Sequence, residues 1–584
     1  MSVISHMNSQ NKTLVSFDSE IALKYQVFNA LFLTLPFEEI KDVGPRLSLF
    51  SLDLKSKLEK GYSPSEIVES FFFNPSNNSA IKEKDLPDNL FQFLQFIERQ
   101  VVLFDALEEA AFEEVHDLNG DGTLSELFTK TQSINGVKEL HKKLQDYKVR
   151  IVLTAHPTQF YPNSVLGIIS DLCVAIKDNK LEDIRNLLLQ MGKTRFKNKE
   201  KPTPLEEAES LIWYLENVFY EVIPSIQNDI NNFCRNHNLP IINKPLIELG
   251  FWPGGDRDGN PFVTAETTKE VAATLKHSIS NLYIKDIKEL KRRLTFEGVE
   301  EILDDLESLI ERSIESGFCN ANFRHKGQSV KESGSGSFSS IEILKKLEEA
   351  KEILITKHQS LFLDDLNIFI QKVNCFGMHF ASLDLRQDSR VHAEVLEEVL
   401  KKEHPQQKEV FNYSELTAKQ KINFLKKLLT GKLQKTQNKK PQKKLANIAS
   451  ETLSSIKAAK EVRQLNGNQS LERYIISNTR SVLNIWELLT IIQLGGMSFA
   501  ENELSIVPLF ETIDDLVEAE SIMKELYEDK LYRKHLSKFN DVQTIMLGFS
   551  DGTKDGGYVT ANSSILWAKQ RLSKLSREYG IKVL

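Results

Sequence analysis

Seven short runs rich in leucine and β-branched residues interrupt a chain otherwise patterned for helices, and that alternation constrains the fold more than any other feature. The runs begin at Val149, Pro245, Gly377, Arg473, Leu504, Val542 and Ile581, and each of the first six leads into a helical stretch. Strands joined through helices pair in parallel, because a parallel neighbour needs a crossover of about a dozen residues or more. The expected fold class is therefore mostly α with a parallel β/α barrel. It is a helix-rich (β/α)8-type barrel, incomplete here at six strands plus the start of a seventh. The expected domains are an N-terminal helical region, 1–148, and a partial barrel with long helical insertions, 149–584. In the helical region, Ile67–Phe73 and Leu90–Glu98 have the spacing of amphipathic core faces.

Composition excludes several classes. A net charge of −8 argues against a nucleic-acid partner. Ten lysines and no acid lie between Lys419 and Lys444, with Phe424 as the one aromatic, a pattern read as a solvated helix–loop face. The polar N-terminus lacks a signal-peptide core, and the apolar run Val27–Phe37 is too short to span a bilayer, so no membrane partner is expected. Four cysteines, Cys173, Cys234, Cys319 and Cys375, are scattered without CxxC spacing and read as thiols of a reducing, cytoplasmic setting. Asp117–Gly122 begins like a calcium loop, but position twelve is Phe128 where a bidentate glutamate is needed, so it reads as a turn.

The polar residues at the strand exits carry the chemistry. In Val149–Gln159, VRIVLTAHPTQ, Pro157 has no N–H for a ladder, so the strand ends before it and leaves His156 at the carboxyl end. Histidine is the commonest general acid or base and also an ordinary turn residue; spacing alone leaves both readings open. After the second run, three glycines and two prolines bracket Asp256, Arg257, Asp258 and Asn260 in a loop that also holds Trp252. No helix or strand can run through it. The later exits supply Arg386, Glu511, Asp551 and Lys554. Two carboxylates with no His or Cys beside them suit a hard cation such as Mg²⁺ or Mn²⁺. Arginine and lysine suit a phosphorylated or carboxylated substrate. Together they describe metal-assisted chemistry on a small anionic phosphate ester.

Five segments then resemble the phosphoenolpyruvate carboxylase family, in that family's order: Leu153-Thr-Ala-His-Pro-Thr, Gly254-Gly-Asp-Arg-Asp-Gly-Asn-Pro, Leu383-Asp-Leu-Arg-Gln-Asp-Ser, Pro508-Leu-Phe-Glu-Thr-Ile-Asp-Asp-Leu and Met546-Leu-Gly-Phe-Ser-Asp-Gly-Thr-Lys-Asp-Gly-Gly. The resemblance implies that phosphoenolpyruvate and bicarbonate are converted to oxaloacetate and phosphate with Mg²⁺ or Mn²⁺, an anaplerotic reaction, in a homo-oligomer (a tetramer). It implies His156 and Lys554 as catalytic, Glu511 and Asp551 as metal ligands, and Arg386 as a pocket arginine. Arg257 and Trp252 join Arg386 as expected substrate contacts, Trp252 as an apolar wall. The implied chemistry runs through carboxyphosphate and the enolate of pyruvate, with His156 taking the carboxyphosphate proton. The sequence departs from the family pattern at Gln159, where glutamate is usual, and at Phe160–Asn163, where basic residues are usual. It contains no Gly-Arg-Gly-Gly. This chain taken alone is expected to be inactive, with unpaired sheet edges near Ile151 and Ile545; the alternative expectation is a truncated fragment of that enzyme without catalytic function.

Overall fold

The computed structural model describes residues 17–35, 43–73, 81–154, 161–196, 202–322, 339–403, 407–411, 413–431 and 446–584. The chain divides into two compact units, Met1–Val137 with His156–Lys201, and Lys138–Ala155 with Pro202–Leu584.

The first unit is helical. Ser63 caps the helix Pro64–Phe72 with a reciprocal Ser63–Glu66 box, and Pro64 occupies the first turn, where a missing N–H does no harm. Both amphipathic pieces bury their apolar faces as the spacing requires. The rings of Phe50, Phe71, Phe72 and Phe93 meet with neighbouring centroids 4.9 to 5.8 Å apart. Phe96, Leu103 and Leu107 of the helix Leu86–Ala110 share a core with Ile168 and Leu172 of Asn163–Lys177 and Leu188 of Leu181–Lys193. Buried Arg99 donates to the carbonyls of Gln95, Met191 and Thr194 and lies 4.4 Å over the Phe196 ring. In Asp117–Gly122 the Asn119 N–H donates to Asp117 Oδ1 at 3.0 Å, and Phe128 lies inside the helix Leu124–Ser133.

The second unit holds a parallel half-barrel. Its strands are β1 (Val149–Leu153), β2 (Ile247–Phe251), β3 (Ser382–Asp388), β4 (Leu471–Ser477), β5 (Ser505–Phe510), β6 (Val542–Gln543), β7 (Met546–Leu547) and β8 (Lys582–Val583). They pair in the order β1-β2-β3-β4-β5-β7, with β6 paired to β8, and every pairing is parallel. Alternate side chains face opposite ways. Phe251, Leu385, Tyr474, Ile476 and Phe510 join the large core shared with the surrounding helices, among them Ala265–Lys291, Leu363–Phe376 and Val482–Leu494. Ile475, Val507 and Leu509 form a separate small apolar cluster with Trp252 and Met546. The helix-rich, incomplete β/α barrel expected from the alternation is the observed architecture.

Three details differ from expectation. The sixth run is two short strands, because the buried Gln543 side chain interrupts the ladder: its Nε2 donates to the carbonyls of Ile506 and Thr544, and its Oε1 accepts the Tyr532 hydroxyl. The edge near Ile545 is not free, since Ile545 N–H donates to Leu584 O at 3.0 Å and Leu584 N–H to Gln543 O at 2.9 Å. At the other edge, no described strand pairs with the outer side of β1, where Ile151 is 38% exposed. Finally, the described part of the lysine run is only half solvated. The helix Ala418–Leu429 buries Phe424, Leu425 and Leu428; Lys426 pairs with Asp529 and lies over the Trp486 ring, and Lys421 lies over Tyr413. Residues 432–445 lie outside the described segments. Among the described residues no helix is long and apolar enough to cross a membrane.

The helix Val482–Leu494 is buried almost all round and takes Glu487 into the core with it. Burial pushes the Glu487 carboxyl up to about 7, against the opposing pull of Lys421 and the Tyr413 hydroxyl. Between its ordinary value of 4.5 and about 7, the folded chain holds a proton that the unfolded chain has released. Stability therefore falls as pH rises through that window, by up to roughly 3 kcal/mol from this group. Urea unfolding from pH 4.5 to 8 is expected to show the decline, and Glu487→Gln is expected to remove most of it. An unchanged profile in that variant would place the titration elsewhere.

Candidate active site

The loop after β2 continues the sheet for one more residue on each side. Gly255 O accepts the Arg386 N–H at 3.1 Å, and Arg386 O accepts the Arg257 N–H at 2.9 Å. This bridge between Asp256 and Arg386 turns both side chains to the same face. The approach is close enough that a Cβ on Gly255 would lie 2.2 Å from the Asp384 carbonyl oxygen. Trp252 N–H donates to Leu153 O at 3.0 Å, which ties the start of the loop to the end of β1.

Arg386 is the centre of the arrangement. Its Nη1 donates to Asp256 Oδ2 at 3.1 Å, while its Nη2 lies 2.9 Å from Asp258 Oδ2 and 3.4 Å from Glu511 Oε1. Its guanidinium carbon stands 5.0 Å from the Trp252 ring centroid. Asp258 N–H in turn donates to Asp256 Oδ1 at 3.1 Å, so the loop orients the carboxylates that orient the arginine. One guanidinium cannot neutralise three carboxylates. Burial raises the Asp256 carboxyl above its ordinary value despite Arg386. Burial also raises Glu511, helped by the charges of Asp551 and Asp258, while the Asn478 N–H at 2.8 Å and Arg386 pull it down.

Glu511 follows β5. The helix Phe549–Gly556 follows β7 and is fastened beside Glu511 by two bonds: Gly548 N–H donates to Phe510 O at 2.8 Å, and Ile513 N–H to Asp555 Oδ2 at 3.0 Å. Asp551 sits in its first turn, within electrostatic reach of Glu511, and Lys554 Nζ lies 3.0 Å from Asp551 Oδ1. Among the described residues no cluster of three or more His, Cys, Asp or Glu could hold a metal. Glu511 and Asp551 are two oxygen donors that could serve a divalent ion which keeps several waters, the habit of Mg²⁺. The excess of negative charge and the all-oxygen donor set fit such an ion.

The fold gathers Trp252, Arg386, Glu511 and Asp551, with Lys554 on the exposed side of Asp551. Arg257 faces the other way. It is 8% exposed and its Nη1 reaches the Glu451 carbonyl at 3.4 Å, in the helix Asn447–Asn466. Alternation explains the division, since neighbours on an extended backbone point to opposite faces. His156 and Gln159 lie outside the described residues. Sequence reasoning missed Arg150 and Asp384, an ion pair of 2.7 Å in which Asp384 also accepts the Trp252 indole N–H at 3.2 Å. A charged residue in the middle of each of two apolar runs was the available signal.

The family model for phosphoenolpyruvate carboxylase matches residues 89–333 and 319–584. A phosphoenolpyruvate carboxylase of Nitrosomonas eutropha is 28% identical over 513 residues, covering 80% of this chain and 54% of that protein. The chain thus spans about half the length of this curated relative.

The close approach at Gly255 is directly testable. Gly255→Ala must push the loop off the Asp384 carbonyl, and overpacking of this kind costs roughly 1–3 kcal/mol. Urea unfolding is expected to show that loss, and an unchanged midpoint would mean that the loop accommodates the methyl group freely.

Proposed function

The chain belongs to the phosphoenolpyruvate carboxylase family, and from that premise we propose that the cluster around Arg386 binds phosphoenolpyruvate and carboxylates it with bicarbonate, giving oxaloacetate and phosphate. The observation that carries the proposal is Arg386 itself. With a divalent cation offsetting the carboxylates around it, a partly desolvated guanidinium backed by an indole supports recognition of a small multivalent anion.

In this reading Arg386 exchanges part of its carboxylate contact for the substrate anion. Glu511 and Asp551 hold Mg²⁺ or Mn²⁺. When bound, the ion supplies Lewis-acid stabilisation of the negative charge that develops on the enolate oxygen. His156, whose support comes from sequence alone, takes the proton of carboxyphosphate as CO₂ is released. Trp252, with Ile475, Val507, Leu509 and Met546, excludes water, so that the enolate meets CO₂ before it can be protonated to pyruvate. Lys554 adds positive charge at the mouth. Arg257, directed to Glu451, contributes through the backbone of its loop. A cytoplasmic homo-oligomer belongs to the same proposal.

An assay with phosphoenolpyruvate, bicarbonate and Mg²⁺, paired with calorimetric binding of phosphoenolpyruvate, tests the reading. In the proposed reading both oxaloacetate and binding follow. Binding without oxaloacetate would favour the second reading, a chain that keeps the pocket without completing the reaction; absence of both would overturn the proposal. Glu511→Gln is expected to weaken Mn²⁺ binding tenfold or more, because even residues behind metal ligands are worth about that much. His156→Asn is expected to stop oxaloacetate formation while leaving Mn²⁺ affinity intact.

A further inference from the structure

Below Arg386 the half-barrel carries a second polar chain that the proposed chemistry does not use. Arg150 on β1 and Asp384 on β3 are separated by β2, yet Arg150 Nη2 reaches Asp384 Oδ1 at 2.7 Å and the Ser382 carbonyl at 3.3 Å. The crossing is possible because β2 presents Gly250 beneath it. A Cβ there would lie 2.8 Å from both Nε and Nη2 of Arg150. The other carboxylate oxygen, Asp384 Oδ2, accepts the Trp252 indole N–H at 3.2 Å. The same indole carries the Arg386 guanidinium, whose carbon stands 5.0 Å from the ring centroid. Asp384 is 1% exposed, so bulk solvent does not reach its oxygens.

We propose that Asp384 is a positioning residue for the anion pocket: clamped by Arg150, it fixes the Trp252 indole by its N–H and thereby sets where Arg386 stands. The physical requirement is specific. Two donors, a guanidinium N–H and an indole N–H, converge on one side chain, and only a carboxylate offers an acceptor to each. An amide of the same shape offers one oxygen. The charged donor takes it, and the indole N–H is left facing an NH₂ group. Trp252 also packs against Ile475, Val507 and Leu509. The hydrogen bond to Asp384 is the polar contact that holds its N–H edge. The consequence for anion affinity rests on the function proposed above; the consequence for Trp252 does not.

The test uses the full chain labelled with 5-fluorotryptophan, whose four tryptophans give separate fluorine resonances, that of Trp252 being assigned by Trp252→Phe. Asp384→Asn is expected to shift or broaden the Trp252 resonance and leave those of Trp213, Trp486 and Trp567 in place. Phosphoenolpyruvate affinity is expected to fall about fivefold, the scale of one partly desolvated cation–π contact. Adding Arg150→Met to that variant frees the amide oxygen for the indole, so the Trp252 resonance is expected to return towards its original position. A purely structural role for Asp384 would lower stability in both variants without this rescue. A Trp252 resonance unmoved in Asp384→Asn, or moved and not rescued by Arg150→Met, overturns the inference. If Asp384→Asn fails to fold, the double variant and Arg150→Met alone decide. Each keeps an acceptor for the indole and is expected to keep the Trp252 resonance, and displacement in either overturns the inference. A wild-type chain that binds no phosphoenolpyruvate would overturn the function reading, while the fluorine arm would still decide the role of Asp384.

Discussion

The guanidinium of Arg386 is the interaction on which the site depends. It is planar and permanently charged, so it can face Asp256 with one nitrogen and share the other between Asp258 and Glu511. Those acids come from two different places, the loop after β2 and the exit of β5, and Arg386 itself from β3. One charge thus joins three parts of the sheet, reaching past β4 to the exit of β5. The pull is incomplete by design of the numbers: three carboxylates surround one cation, and Asp256 and Glu511 are both raised above their ordinary values by burial. A site in that condition carries an excess of negative charge and attracts a cation.

Beneath this layer the interior of the half-barrel is polar in a different way. Arg150 meets Asp384, and Arg473 lies near Glu248 and Glu472. Each such charge is expensive to take out of water and stable only while paired. Arg386 Nε, Arg473 Nη1 and Glu248 Oε2 make no hydrogen bond to other protein groups. The layer therefore contributes little net stability. What the Arg150–Asp384 pair contributes is orientation, because Asp384 gives one oxygen to Arg150 and the other to the Trp252 indole.

Much of the architecture was legible in the sequence. Short β-branched runs alternating with helical stretches required parallel strands, and polar residues at their ends required a common face. Arg386, Glu511 and Asp551 follow from that logic. So does the loop from Trp252 to Asn260, whose glycines and prolines forbid regular structure. The interrupted sixth strand was not legible, because a glutamine side chain replacing the ladder leaves no mark on the apolar pattern. The lysine run misled for a related reason: charge composition does not show that Lys426 is held by Asp529, more than a hundred residues further on.

What the sequence by itself determined is the set of elements and the ends at which chemistry gathers, since periodicity and chain stiffness are local properties. Only the tertiary structure decided which charges meet. Arg257 and Asp256 are adjacent in sequence and face opposite ways, one to Glu451 and one to Arg386. Arg150 and Asp384 are 234 residues apart and touch. Strand pairing, the pleat and the gap at Gly250 bring them together, and these come into existence only when the strands are laid side by side.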